Sequence, residues 1–128
     1  MIAQYTQAAM VSENKRLASP ASVDSISSSA MQEDHVSMGW GAARKLRSVL
    51  ANLRRILAIE LVAAARGLDL RAPLQPAPAT AAAVAELRTI VPGHGADRYL
   101  TPELAAADEL LRSGRLTDAV RAVVGELR

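Results

Sequence analysis

The sequence predicts an all-α protein: a long-helix bundle segment followed by short C-terminal helices. Half of the 128 residues are hydrophobic, yet the aromatic side chains are limited to Trp40, Tyr5 and Tyr99, with no Phe. The core must therefore be built from Leu, Val, Ile, Met and Ala, and small side chains let helices approach closely. Apolar residues recur at spacings of three and four in several segments, which is the period of one helix face. No stretch reads as a strand, and no internal repeat is visible.

Residues 2–17 form the first predicted helix, with Ile2, Tyr5, Ala9 and the Met10/Val11 pair on one face. Its first eleven residues carry no charge, which predicts a helix covered on most sides. No Ser, Thr, Asp or Asn precedes the pattern to cap it, as though a turn were missing upstream. The periodicity lapses over loop 19–38. Ser19-Pro20-Ala21-Ser22 and Ser27-Ser28-Ser29 are turn chemistry, because short hydroxyl side chains compete for backbone hydrogen bonds. So long a loop is usually functional or disordered, and Val23, Ile26, Met31, Val36 and Met38 argue for order.

The long helix 39–67 has the clearest pattern, a stripe of Leu46, Leu50, Leu53, Leu57 and Leu61. At 1.5 Å per residue it spans roughly 40 Å, and Gly67 is the expected C-cap. Together with the uncharged first helix, this stripe exceeds what three short helices can cover, which predicts self-association. Trp40 is expected to anchor packing at the helix start. The basic cluster Arg44, Lys45, Arg47, Arg54 and Arg55 reads as a solvated face or subunit salt-bridge surface, since nothing else suggests a phosphate-backbone reader.

Pro73, Pro76 and Pro78 make a stiff linker, followed by an Ala-rich helix over 80–90 and a break at Pro92-Gly93-His94-Gly95. Here His94 reads as an exposed loop residue. Thr101-Pro102-Glu103 predicts a hydroxyl-capped helix start, Ser113-Gly114 its end, and residues 116–127 a last amphipathic helix. The expected organisation is residues 1–71 as core helices and loop, then 72–128 as a C-terminal helical subdomain.

The composition excludes several classes. There is no cysteine, hence no disulfide or thiolate metal site. A net charge of +2 does not point to nucleic acid. The chain opens without a basic leader, and the apolar run 56–65 is interrupted by Glu60, so no span of the roughly 18 residues needed to cross a bilayer appears. A soluble cytoplasmic protein without membrane partners is the expectation.

Chemistry concentrates in Gln32-Glu33-Asp34-His35, which sets an amide, two carboxyls and an imidazole on a semi-apolar loop. Such groups bind polar ligands or act as general acid and base. The competing reading has the acids capping the positive end of the long helix. A metal site is not expected, because Glu33 and His35 are too close in sequence and His94 lies on a distant loop.

The block Ala21-Ser22-Val23-Asp24-Ser25-Ile26, followed by Gln32-Glu33-Asp34-His35-Val36-Ser37-Met38-Gly39, closely resembles the signature of the C-terminal portion of histidine ammonia-lyases, in the aromatic amino acid lyase superfamily. Met1-Ile2-Ala3-Gln4, Ser12-Glu13-Asn14-Lys15, Ala42-Ala43-Arg44-Lys45-Leu46, Leu57-Ala58-Ile59-Glu60-Leu61 and Arg112-Ser113-Gly114 resemble the flanking regions, so the likeness covers nearly the whole chain. Phenylalanine and tyrosine lyases usually carry Asn-Gln-Asp where this chain has Gln32-Glu33-Asp34, so Glu33 favours histidine.

The resemblance implies elimination of ammonia from L-histidine to trans-urocanate, a step of histidine catabolism. It implies a self-made methylidene-imidazolone from Ala-Ser-Gly and a homotetramer whose subunits share active sites. It also implies that Glu33 is catalytic and substrate-binding and that Gln32 lines the substrate. Two positions depart from the family. Ser27 stands where most members have proline, which removes a rigid φ. Ala-Ser-Gly is absent, with Arg112-Ser113-Gly114 the nearest approach. The isolated chain is therefore expected to be inactive without the rest of a lyase. A non-catalytic helical assembly module and one half of a split lyase are the competing readings.

Overall fold

A computed structural model describes residues 1–126, which form five helices: α1 Ile2–Leu17, α2 Gly39–Asp69, α3 Pro78–Arg88, α4 Thr101–Ser113 and α5 Arg115–Val124. Among the described residues there is no strand, only an isolated antiparallel bridge between Ser28 and Glu33. No described helix is long and apolar enough to cross a membrane. By internal contacts the chain divides into two compact units, Met1–Leu53 and Arg54–Arg128. The first half of α2 belongs to one and the second half to the other.

In the first unit, α1 lies beside α2 through polar contacts. The Asn52 amide, 6% exposed, donates to Glu13 Oε2 at 2.9 Å and to Asn14 Oδ1 at 3.0 Å. Asn14 in turn donates to the Val49 carbonyl at 3.5 Å. No residue of α1 is buried, and Ile2 and Tyr5 are 82% and 62% exposed. The uncharged face is thus open, because nothing among the described residues covers it. Leu46, Leu50 and Leu53 are likewise exposed, and so is Trp40 at 75%. Among the described residues Trp40 is therefore no packing anchor.

The apolar core lies in the second unit. Ala58, Val62 and Ala65 of α2 meet Leu87 of α3, Val91, and Ala107 and Leu110 of α4. The side of α2 carrying Ala58, Val62 and Ala65, rather than the bulk of the leucine stripe, faces this core. Leu57 remains exposed while Leu61 packs at the core margin. α5 packs on α3 and α4. Around the core, Arg54 makes a two-pronged ion pair with Asp108 at 2.7 and 3.0 Å.

Several boundaries differ from expectation. α2 passes through Gly67 to Asp69, where the Asp69 carboxylate accepts from Arg88 at 2.6 Å and from the His94 N–H at 3.1 Å. Gly67 is interior and not the cap. α3 starts at Pro78, whose missing N–H costs nothing in a first turn. Thr101 is already helical and makes no capping bond, so Pro102 and Glu103 mark that start without it. Gly114, at φ +82°, ends α4 in the left-handed conformation glycine tolerates, and α5 begins beside it. α5 stops at Val124, and Leu127, the end of the expected helix, lies outside the described residues.

Candidate functional site

The segment between α1 and α2 carries Gln32, Glu33, Asp34 and His35, all exposed. Local hydrogen bonds hold it. At its entrance the Lys45 ammonium donates to the Ser19 carbonyl. Further along, the Ser25 hydroxyl accepts from the Val36 N–H at 2.9 Å and donates to the Val36 carbonyl at 3.2 Å. A single hydroxyl thus pairs both the backbone donor and the backbone acceptor of one residue. At the tip, the Ser28 N–H donates to the Glu33 carbonyl at 3.0 Å, and the Glu33 N–H donates back to the Ser28 carbonyl at 3.3 Å.

Between those partners the chain reverses through three consecutive left-handed residues, Ser29 at φ 54°, Ala30 at 53° and Met31 at 66°. None is glycine, and a left-handed L-residue costs about 1–2 kcal/mol. Such a turn persists because its flanks over-determine it. The Gln32 N–H closes the turn on the Ser29 carbonyl at 3.1 Å.

The arrangement fixes the backbone of residue 33 while its carboxyl group stays in solvent. Among the described residues, no hydrogen bond or ion pair holds the Glu33, Asp34 or His35 side chains. The capping alternative finds no bond here. The first turn of α2 contains no acid, and the Gly39 N–H donates to the Ser37 hydroxyl at 3.2 Å. His94, the other histidine, sits in the second unit with its Nδ1 4.0 Å from Asp69. No group of three or more described His, Asp or Glu residues is placed to hold a metal ion.

Sequence reasoning brought out Gln32 and Glu33 but missed Ser25, Ser37 and Lys45, which shape the segment around them. In a serine-rich stretch nothing in residue type marks Ser25 apart from Ser22 or Ser27. Its partner is eleven residues away, beyond the reach of local turn rules.

The aromatic amino acid lyase family model matches residues 1–89, which include the whole segment. Over 130 aligned residues the chain is 65% identical to the histidine ammonia-lyase of Streptomyces griseus, covering 99% of this chain and 25% of that protein. Its backbone matches the crystal structure of histidine ammonia-lyase from Trypanosoma cruzi with a TM-score of 0.90 and 45% identity, over 96% of this chain and 24% of that one. Tyrosine aminomutase from Streptomyces globisporus matches at 0.88 and 35%, over 98% and 24%. The chain spans about a quarter of the length of the curated relatives it matches. Over this quarter of their length, one backbone thus recurs in proteins named for histidine and for tyrosine.

Proposed function

The chain belongs to the aromatic amino acid lyase family, and on that premise we propose that it is the part of a histidine ammonia-lyase that presents Gln32 and Glu33 to L-histidine, which loses ammonia to give trans-urocanate. The observation that carries this reading is the tip of the loop. Glu33 is pinned through its backbone to Ser28, yet its carboxyl group has no partner among the described residues. Histidine offers two complementary donors, the α-ammonium and the imidazole N–H, and an ionised carboxylate is a strong acceptor for either. The Gln32 amide, one residue away, adds a donor and an acceptor for orientation.

The family's electrophile comes from Ala-Ser-Gly, and these 128 residues contain no such triplet. The residues present do not fit that group, so only binding and proton handling are assigned to this chain. The remainder of the active site belongs to its partner, either the rest of the lyase or other subunits. Exposure of Leu46, Leu50, Leu53 and Leu57 supports a homo-oligomer. We place the reaction in the cytoplasm as part of the same reading.

The test is to put this chain in place of the matching segment of the Streptomyces griseus enzyme and follow urocanate by its ultraviolet absorbance. The chimera should turn over histidine, whereas the 128-residue chain alone should not. Glu33→Gln in the chimera removes a charged hydrogen bond worth about 1.5–3 kcal/mol, or about 10- to 150-fold in rate or affinity. The loss should be smaller on phenylalanine, with the oligomer unchanged. Full histidine turnover by Glu33→Gln would refute the assignment.

A further inference from the structure

We propose that Ser25 is a positioning residue whose hydroxyl, clasping Val36 across the neck of the loop, sets where Glu33 is presented. The proposal rests on the reading of Glu33 just given. Three observations lead to it. Ser25 Oγ is both acceptor and donor to the backbone of one residue, Val36, at 2.9 and 3.2 Å. The Ser25 N–H is itself held by Asp24 Oδ1 at 2.7 Å, so the clasp is oriented from its own side. Beyond the clasp, the Ser28–Glu33 pair encloses a turn of three left-handed residues, a conformation the isolated chain disfavours.

The neck and the tip therefore act in series. Ser28 lies three residues after Ser25, and Glu33 three before Val36, so the neck bond brings the two arms of the tip into register. Without it, nothing but the strained turn and its own bonds keeps residue 33 paired. Ser25 and Val36 are half-buried whereas Glu33 is exposed, so Ser25 acts on a ligand only through the loop.

Two measurements separate this from a general loss of structure. In the 128-residue chain, amide hydrogen exchange should show Val36 and Glu33 losing protection together in Ser25→Ala, while Leu87 and Leu110 keep theirs. In the chimeric lyase, Ser25→Ala should lower kcat/KM for histidine by about 10- to 100-fold, the scale expected of a misplaced contact group. Ser25→Thr, which keeps the hydroxyl, should recover most of it. In a Glu33→Gln background, Ser25→Ala should cost little more, because two residues on one path are not additive.

An undiminished kcat/KM in Ser25→Ala, with Glu33→Gln still impaired, overturns the clasp and leaves the Glu33 reading standing. Equal losses from Ser25→Ala in both backgrounds also overturn it, since Ser25 then acts on something other than Glu33. An unimpaired Glu33→Gln chimera removes the site itself, and the positioning role with it.

Discussion

Leu87, Leu110 and Val91 are fully withdrawn from water in the second unit, among alanines on α2 and α4. In the first unit the one buried side chain is Asn52, and its neighbours are Glu13 and Asn14. Apolar burial, ringed by ion pairs such as Arg54–Asp108, holds one unit, whereas the other has directional bonds and no buried apolar side chain. Burial tolerates changes of detail but needs volume, whereas directional bonds specify position with little area. The proposed role of the loop, to present Gln32 and Glu33 at fixed positions, suits the second kind of construction. The same contrast explains the exposed leucines of α2, whose burial requires surface that these 126 residues do not supply.

The largest effect should follow from comparing two leucine truncations. Leu110→Ala opens a cavity in the core and should destabilise the second unit by about 2–5 kcal/mol, read from urea unfolding by circular dichroism. Leu50→Ala, at a residue 53% exposed, should change unfolding by no more than about 0.5 kcal/mol where the chain is monomeric. It should instead weaken self-association in sedimentation. Similar costs for the two would erase the contrast between the units.

A smaller effect is expected at the tip. Ala30 stands at φ 53°, where a β-branched residue is a steric outlier and glycine is at ease. Ala30→Val should cost about 1–3 kcal/mol locally, seen as lost protection of the Glu33 amide while the second unit unfolds as before. Ala30→Gly should preserve that protection. If both variants lose it equally, the turn owes nothing to backbone conformation.

Much of this architecture was legible in the residues. The three-and-four spacing located α1 and the body of α2, and Gly114 marked the α4–α5 junction. The Gln32-Glu33-Asp34-His35 cluster stood out through its resemblance to the histidine ammonia-lyase signature, since on residue type alone helix capping competed with catalysis. What stayed hidden depends on partners distant in sequence. Gly67 looks like a cap until Asp69 is seen to be held by Arg88 and the His94 N–H. Ser25 looks like any other serine until Val36 is found opposite it. The choice of alanine over leucine as the core-facing side of α2 likewise depends on which helices arrive there.

The smallest expected effect concerns a surface pair in the second unit, where neither burial nor position is at stake. Arg112 donates to both carboxyl oxygens of Glu109, at 2.6 and 2.5 Å. That hydrogen bond, aided by the nearby positive charge and opposed by slight desolvation, holds the Glu109 carboxyl below the usual carboxylate range. A folded-state value below the unfolded one means that the unfolded chain binds the proton more tightly. The pair's contribution is therefore complete above the ordinary range, near about pH 4.3, and is lost as pH falls through the lowered folded value. Melting temperatures of the parent chain and Glu109→Gln should differ by a small constant from pH 8 to 5 and converge below pH 4. Added salt should shrink the gap at neutral pH, because the pair is exposed and screened. A gap that widens on acidification would reverse the sign. A gap as large as that of Leu110→Ala would mean that this unit, too, relies on directional bonds.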